Sequence, residues 1–362
     1  MSYDERRRRA AELAEQAGLE GLLVTPGGDL AYLTGYAPLP LERLTVLIVR
    51  PSRDPLMLVP QLECPGAAAA PGATGIELVG WLDGDDPYLA AQRFLGPGRW
   101  AVTDQTWASH VMGLQRAAGD QVFEAASEAL PLLRAVKDAD ELAALRAAGA
   151  AADAAFSDMV VMPFEGRRES QVAADLADRL RAHGHQSADF TIVGSGPNGT
   201  SPHHEAGERV IVADDVVVLD FGGHMDGYCS DITRTVVVRG PSTEQAEVHA
   251  VVRAAQQAAF DAVAPGVACQ DVDRAARAVI EEAGYGERFA HRTGHGIGLE
   301  VHEPPYIVEG NVTALQPGMT FSIEPGIYLT ERFGVRIEDI VAVTADGAKR
   351  FNEAPRDLAI VG

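Results

Sequence analysis

The sequence predicts an α+β protein in two parts, and three observations carry that expectation. Helix-like and strand-like stretches alternate through the first third of the chain. After Asp138, long helices and long β-branched runs are partly segregated instead of alternating. The apolar runs of that second part are joined by Gly-containing turns, as antiparallel hairpins are.

Taken in order, residues 4–18 form a charged amphipathic helix. Within it Arg6 to Arg9, next to Asp4 and Glu5, read as a solvated face. Leu22–Val24, Leu44–Val49 and Leu56–Val59 read as short strands, the last two separated by the turn-rich PSRDP. Residues 64–75, rich in Ala, Gly and Pro, read as loop or helix edge, and residues 87–94 as helix. A boundary near 127–138 separates a smaller α/β domain over 1–130 from a larger one over 137–362. Asp138 followed by Glu141 fits a capping box opening an Ala-rich helix to about Phe156. A helix over about 169–183 follows, then β-branched runs at Val210–Phe221 and Ile232–Val238. Helices over about 243–263 and 270–283 lead to two last strand-like runs, Met319–Leu329 and Val335–Val343.

Bulk properties narrow the function. No run of eighteen apolar residues exists, so no membrane span is expected. The opening MSYDERRRRA carries both signs of charge and leads into a helix pattern, not an apolar signal core, so secretion by that route is not expected. Cys64, Cys229 and Cys269 are odd in number and widely spaced, which argues against a disulfide framework and fits the cytoplasm. A net charge of −22 disfavours nucleic acid and anionic membrane as partners. Solubility accounts for most of that charge, and carboxylates gathered around cations account for part.

The chemistry concentrates in three stretches. In VVVLDFGGHMDGYCSDITRTVVV, Asp220 ends one apolar run and Asp231 begins the next. A turn near Met225 to Gly227 would bring them about opposite each other. Facing carboxylates repel unless a cation lies between them or one is protonated. Alone, the pair reads more readily as solvent-facing hairpin residues. FSIEPGIYLTERFGVRIEDIVAV repeats the pattern, with Glu324 and Glu338 interrupting apolar runs on either side of a polar turn at about Thr330 to Gly334. A buried carboxylate without a partner is costly, so two such pairs suggest a shared cation site. Glu331 and Asp339, in turn and strand-end settings, read as solvent-exposed. Between the pairs, HRTGHGIGLEVHEPP holds His295 and His302, and the glycines around His295 allow close backbone approach. Oxygen donors with a single imidazole favour Mn, Co or Fe over a structural zinc site.

These motifs resemble the pita-bread metallopeptidases: methionine aminopeptidase, aminopeptidase P and prolidase. GSGPNGTSPHH, LDFGGHMDGYCSDITRT, GHGIGLEVHEPP, SIEPGIY and GVRIED carry the likeness in that order over residues 137–362. GGDLAYLTGY resembles the creatinase/prolidase N-terminal domain more weakly, and Asp29 stands there where asparagine is common. The resemblance implies a pita-bread catalytic domain behind a creatinase/prolidase-type domain, and two divalent metals, Mn first with Co, Fe or Zn as alternatives. It assigns Asp220 to one metal, His295 and Glu324 to the other, and Asp231 and Glu338 to both. Two cations about 3.5–4 Å apart would acidify a bridging water into a nucleophile. Glu324 would shuttle its proton, His302 would stabilise the oxyanion or position the scissile carbonyl, and His203, chosen over its neighbour His204, would contact the amide side. Arg336 would orient a bridging carboxylate and Thr233 would do the same for Asp231.

The separate N-terminal domain points to the proline-specific branch, acting on short Xaa-Pro peptides as a homodimer. A methionine-type or non-proline-specific aminopeptidase of the same fold is the alternative. A metal-free creatinase or a non-catalytic peptide-binding module would be expected to lack the complete ligand set. In some prolidases an arginine just beyond the second histidine serves the substrate carboxylate; Tyr306 stands there, so incomplete dipeptide selectivity is expected, with arginines of the N-terminal domain the first alternative source of a cation.

Overall fold

The computed structural model describes residues 1–362 and divides into two compact units, Met1–Arg134 and Ala135–Gly362. The first contains α1 (Tyr3–Gln16), β1 (Gly21–Val24), α2 (Gly28–Thr34), β2 (Val46–Val49), β3 (Leu56–Pro60), α3 (Cys64–Ala68), β4 (Glu77–Trp81), α4 (Pro87–Gln92), β5 (Gly98–Val102), α5 (Ala108–Ala117), β6 (Gln121–Ala125) and α6 (Ala126–Ala129). Its mixed sheet runs β4-β3-β2-β1-β5-β6, parallel at β1–β5 and antiparallel at β1–β2. β1, β2 and β3 are buried along their whole length, which is why they read as continuous apolar runs.

The arginine run on α1 is a solvated face only in part, since Arg8 is exposed. Arg6 and Arg7 are buried. The Arg7 guanidinium donates to the carbonyls of Leu33, Gly72 and Thr74, and Arg6 lies over the Tyr32 ring at 4.4 Å. These cations satisfy loop carbonyls that would otherwise be buried without donors. Asp29 pairs with Arg134 at 2.6 Å.

The second unit opens with α7 (Ala139–Met159), capped by Asp138 and Glu141, and α8 (Glu169–Ala182). There follow β7 (Phe190–Ser195), β8 (Val216–Met225), β9 (Tyr228–Val238), α9 (Thr243–Ala262), α10 (Cys269–Glu282), β10 (Gly294–Gly296) and β11 (Glu303–Ile307). The chain ends with β12 (Thr320–Ile323), β13 (Gly326–Leu329), β14 (Phe333–Arg336), β15 (Asp339–Thr344), β16 (Gly347–Arg350) and β17 (Ala359–Val361). The sheets are β17-β9-β8-β7, β11-β10-β12-β15-β16 and the hairpin β13-β14. Phe156 and Met159 of α7 and Leu176 and Leu180 of α8 pack on Val217, Leu219, Phe221, Ile232 and Val236. Each such side chain contributes about 1.5–3 kcal/mol on burial. That layer fixes the β8–β9 hairpin from behind.

Three strand readings change. Val210 does not begin a strand, because Asp215 draws the segment into a turn by pairing with Arg209 at 2.6 Å and accepting from the Val212 N–H. The last two apolar runs are each broken in two, at Glu324–Pro325 and at Ile337–Glu338. Pro325 cannot donate to a ladder, and both glutamate N–H groups turn to other strands, Glu324 to the Thr293 carbonyl (2.8 Å) and Glu338 to that of Thr233 (3.1 Å). Asp339 is not exposed but fully buried, paired with Arg234 (2.8 Å), Arg350 (3.1 Å) and Arg356 and bonded by Gln256 (2.8 Å). Glu331, in the turn, is exposed.

Candidate metal centre

The hairpin β8–β9 supplies the first two carboxylates. Its register sets Asp220 against Thr233 and Asp231 against Gly222, so the two aspartates share a face as diagonal neighbours and are not directly opposite. β10 brings in His295. A Cβ at Gly294 would meet the Ser322 carbonyl oxygen at 1.8 Å, and one at Gly296 would meet that of Glu303 at 2.4 Å, so β10 can lie between its neighbours only with glycine at both positions. The two strand breaks then carry Glu324 and Glu338 in.

Asp231, His295 and Glu338 each offer a ligand atom within 4.8 Å of the others, and all three are buried. The His295 Nε2 lies 3.3 Å from Glu324 Oε1 and 3.6 Å from Asp231 Oδ2. Asp220 stands beside Arg336, its Oδ2 2.5 Å from Nη2. The structure thus places all five expected ligands in one cluster, with Asp231, His295 and Glu338 the tightest group.

Electrostatics show what the cluster lacks. Burial and then the nearby Glu338, Asp220 and Glu324 charges push the Asp231 carboxyl well above its usual range. Glu338 is displaced the same way, by burial and then by Glu324 and Asp220. Burial raises Glu324 to about 7, against the opposing field of Arg336. His295 falls to about 3, through burial and the nearby His302. His295 therefore stays neutral. Its Nδ1 faces the Gly296 carbonyl at 3.2 Å and carries the proton, which leaves the Nε2 lone pair directed at carboxylate oxygens. Asp231 Oδ1 and Glu338 Oε1 are buried with no hydrogen-bond partner at all. Lone pairs converging on a common space with no donor between them are the donor set of a cation site, and the residues fit the divalent metals the motifs implied.

The surrounding contacts correct two expected roles. Thr233 Oγ1 donates to Glu338 Oε2 at 2.7 Å and not to Asp231, because the break after β14 lays Glu338 across Thr233. Arg336 pairs directly with Asp220, not with either expected bridging carboxylate, and donates to Thr233 Oγ1 (3.2 Å) and the Tyr328 hydroxyl (2.9 Å). Tyr328 in turn lies 2.8 Å from His291 Nε2, whose Nδ1 is 2.7 Å from the Arg292 carbonyl oxygen. His291 and Tyr328 both lie within the motif stretches, but nothing in their spacing separates them from core residues.

The two histidines near residue 203 part company. His204 Nε2 is 2.8 Å from Glu169 Oε2, a carboxylate that also accepts from Ser195 and Asn198. His203 is exposed and makes no hydrogen bond. Its field is felt at His302, as is that of Arg292, and burial first of all lowers the His302 imidazole. The His302 ring meets that of His295 edge-on at 4.1 Å.

Residues 143–345 match metallopeptidase family M24, and residues 6–136 match the Creatinase/Prolidase N-terminal domain. The chain belongs to metallopeptidase family M24. It is a metal-dependent hydrolase of α+β class with the pita-bread architecture the motifs implied. It is 46% identical to the crystal structure of dipeptidase PepE from Mycobacterium ulcerans, with a TM-score of 0.94 over 99% of this chain and 98% of that one. The prolidase structure from Thermococcus sibiricus matches at 37% identity and a TM-score of 0.93 over 100% of both chains. The Xaa-Pro dipeptidase of Lactobacillus helveticus is 38% identical over 92% of each chain. No helix of this M24 chain is long and apolar enough to cross a membrane.

Proposed function

We propose that this chain is a two-metal exopeptidase that hydrolyses the bond between an N-terminal residue and a following proline in dipeptides and short peptides. The observation that carries the metal is the set of inward-facing lone pairs on Asp231, Glu338 and His295. The proline preference rests on similarity to Xaa-Pro dipeptidases and prolidases along nearly the whole chain. Asp220 would hold one metal, His295 and Glu324 the other, and Asp231 and Glu338 both. Manganese suits this oxygen-rich set, with Co, Fe or Zn as alternatives. Bound there, the cations would supply Lewis-acid polarisation and an activated water.

The chain's own residues do the rest. Thr233 holds Glu338 through Oε2 and leaves its Oε1 free, and Arg336 holds Asp220 through Oδ2. Glu324, whose Oε1 lies 3.3 Å from His295 Nε2, would take a proton from the attacking water and pass it to the leaving nitrogen. His302, exposed and edge-on to the His295 ring, orients the scissile carbonyl, and the unbonded His203 meets the amide side. Three free cysteines suit a cytoplasmic setting, and a homodimer belongs to the same reading.

The test is purification with metal analysis, followed by assay on Ala-Pro, Ala-Ala and Ala-Pro-Ala. Two metals per chain and at least tenfold higher kcat/KM on Ala-Pro than on Ala-Ala are expected. Equal rates on the two dipeptides would overturn the proline preference.

A further inference from the structure

A proline dipeptide brings a negative charge close to the bond being cut. Only three bonds separate the scissile carbonyl carbon from the carboxylate carbon. The pyrrolidine ring fixes φ near −65°, so that carboxylate leaves the amide in a restricted direction and one fixed cation can meet it. Tyr306 cannot be that cation, since its hydroxyl donates a single hydrogen bond and carries no charge.

Arg292 can. It lies three residues before His295, and its guanidinium sits over the Tyr306 ring, 4.5 Å from the centroid. Tyr306 is the register partner of His295, so the stack lies one strand position from a ligand of the metal site. A guanidinium held over a ring face by cation–π attraction can still offer two parallel N–H bonds to a carboxylate. In a chain of net charge −22, Arg292 makes no ion pair or side-chain hydrogen bond. Other arginines of the unit, Arg234, Arg277 and Arg336, are bound to aspartates. The backbone at Arg292 is fixed as well, because its carbonyl meets His291 Nδ1 at 2.7 Å, and His291 is tied through Tyr328 to Arg336.

We infer that Arg292, held over Tyr306 on the strand beside His295, receives the C-terminal carboxylate of an Xaa-Pro dipeptide and sets a preference for free-acid dipeptides over longer or amidated substrates. The assignment rests on the proposed Xaa-Pro hydrolase activity. It places in the catalytic unit the cation that Tyr306 does not provide, and it reverses the expectation of incomplete dipeptide selectivity.

The experiment compares kcat/KM on Ala-Pro, Ala-Pro amide and Ala-Pro-Ala for the wild type, Arg292→Gln and Arg292→Lys, each loaded with Mn. The wild type should favour Ala-Pro over its amide by tenfold or more. Arg292→Gln should lose about a hundredfold on Ala-Pro, mostly through KM, and less than threefold on the amide. Arg292→Lys should recover part of the loss. A wild type indifferent to amidation overturns the assignment without any variant, and so does a variant that loses activity equally on all three substrates. Hydrolysis of Ala-Pro with an unchanged ratio in Arg292→Gln sinks this inference alone, whereas a wild type inert on every Xaa-Pro substrate sinks the proposed function with it.

Discussion

Glu338→Gln should make the metal-free protein more stable while abolishing tight metal binding. Glu338 is buried, one oxygen accepts from Thr233, the other has no partner, and Asp231 and His295 stand within 4.8 Å. Burial and the neighbouring Glu324 and Asp220 charges raise its pKa well above the usual range, so the folded metal-free chain holds a proton there that the unfolded chain releases. An acid whose pKa is higher folded than unfolded stabilises the fold at low pH and loses that contribution as pH rises. The loss begins above the ordinary glutamate value near 4.3 and runs at about 1.4 kcal/mol per pH unit until the folded pKa is passed. A neutral glutamine of nearly the same shape does not incur that loss. Urea denaturation of stripped wild type and variant should therefore coincide at pH 4.5 and separate in favour of the variant at pH 7. Adding Mn should reverse the order, because only the wild type gains binding energy. A stripped variant less stable than stripped wild type at pH 7 would refute the reasoning.

The same geometry sets two further outcomes. His295→Ala should lower metal stoichiometry, while His302→Ala should keep both metals and lose about 10²–10³ in kcat, as removal of an oxyanion donor does; metal analysis beside turnover distinguishes them, and the reverse pattern would exchange their roles. Asp339→Ala should cost about 3–5 kcal/mol in thermal or urea unfolding by leaving three arginines without their carboxylate, yet leave metal stoichiometry in the folded fraction unchanged.

Much of this was legible in the chain itself, for physical reasons. The helices at 139–159 and 243–262 announce themselves through caps and period, and β8 and β9 through β-branched runs that have no other use. The features that escaped were set by tertiary packing. Glu338 and Asp339 are adjacent acids near a strand end, and the pattern that singled out Glu338 for a cation site gave no sign that Asp339 anchors three arginines. Arg6 and Arg7 look like surface charge until the carbonyls of a distant loop arrive to meet them. The breaks at Glu324 and Ile337 fall where an acid interrupts an apolar run, but the interruption becomes a break only because each glutamate N–H is taken by a carbonyl distant in sequence, with Pro325 assisting at the first. Arg292 lay in plain view beside His295, but an arginine signals its role only by what it fails to pair with.

The two strand breaks also determine where the chain can be lengthened. Turn residues 330–332, between β13 and β14, and the tip at Asp226–Gly227, between β8 and β9, connect strands whose pairing is fixed elsewhere, so inserted residues there only extend a loop. A single residue added at 324–325 or 337–338 would instead reverse the inside–outside alternation of the next strand and turn a carboxylate away from its partners. A protein engineer seeking sites for circular permutation, a protease tag or a reporter insertion should find the turn tips permissive and the breaks intolerant, although the residues of both look equally irregular.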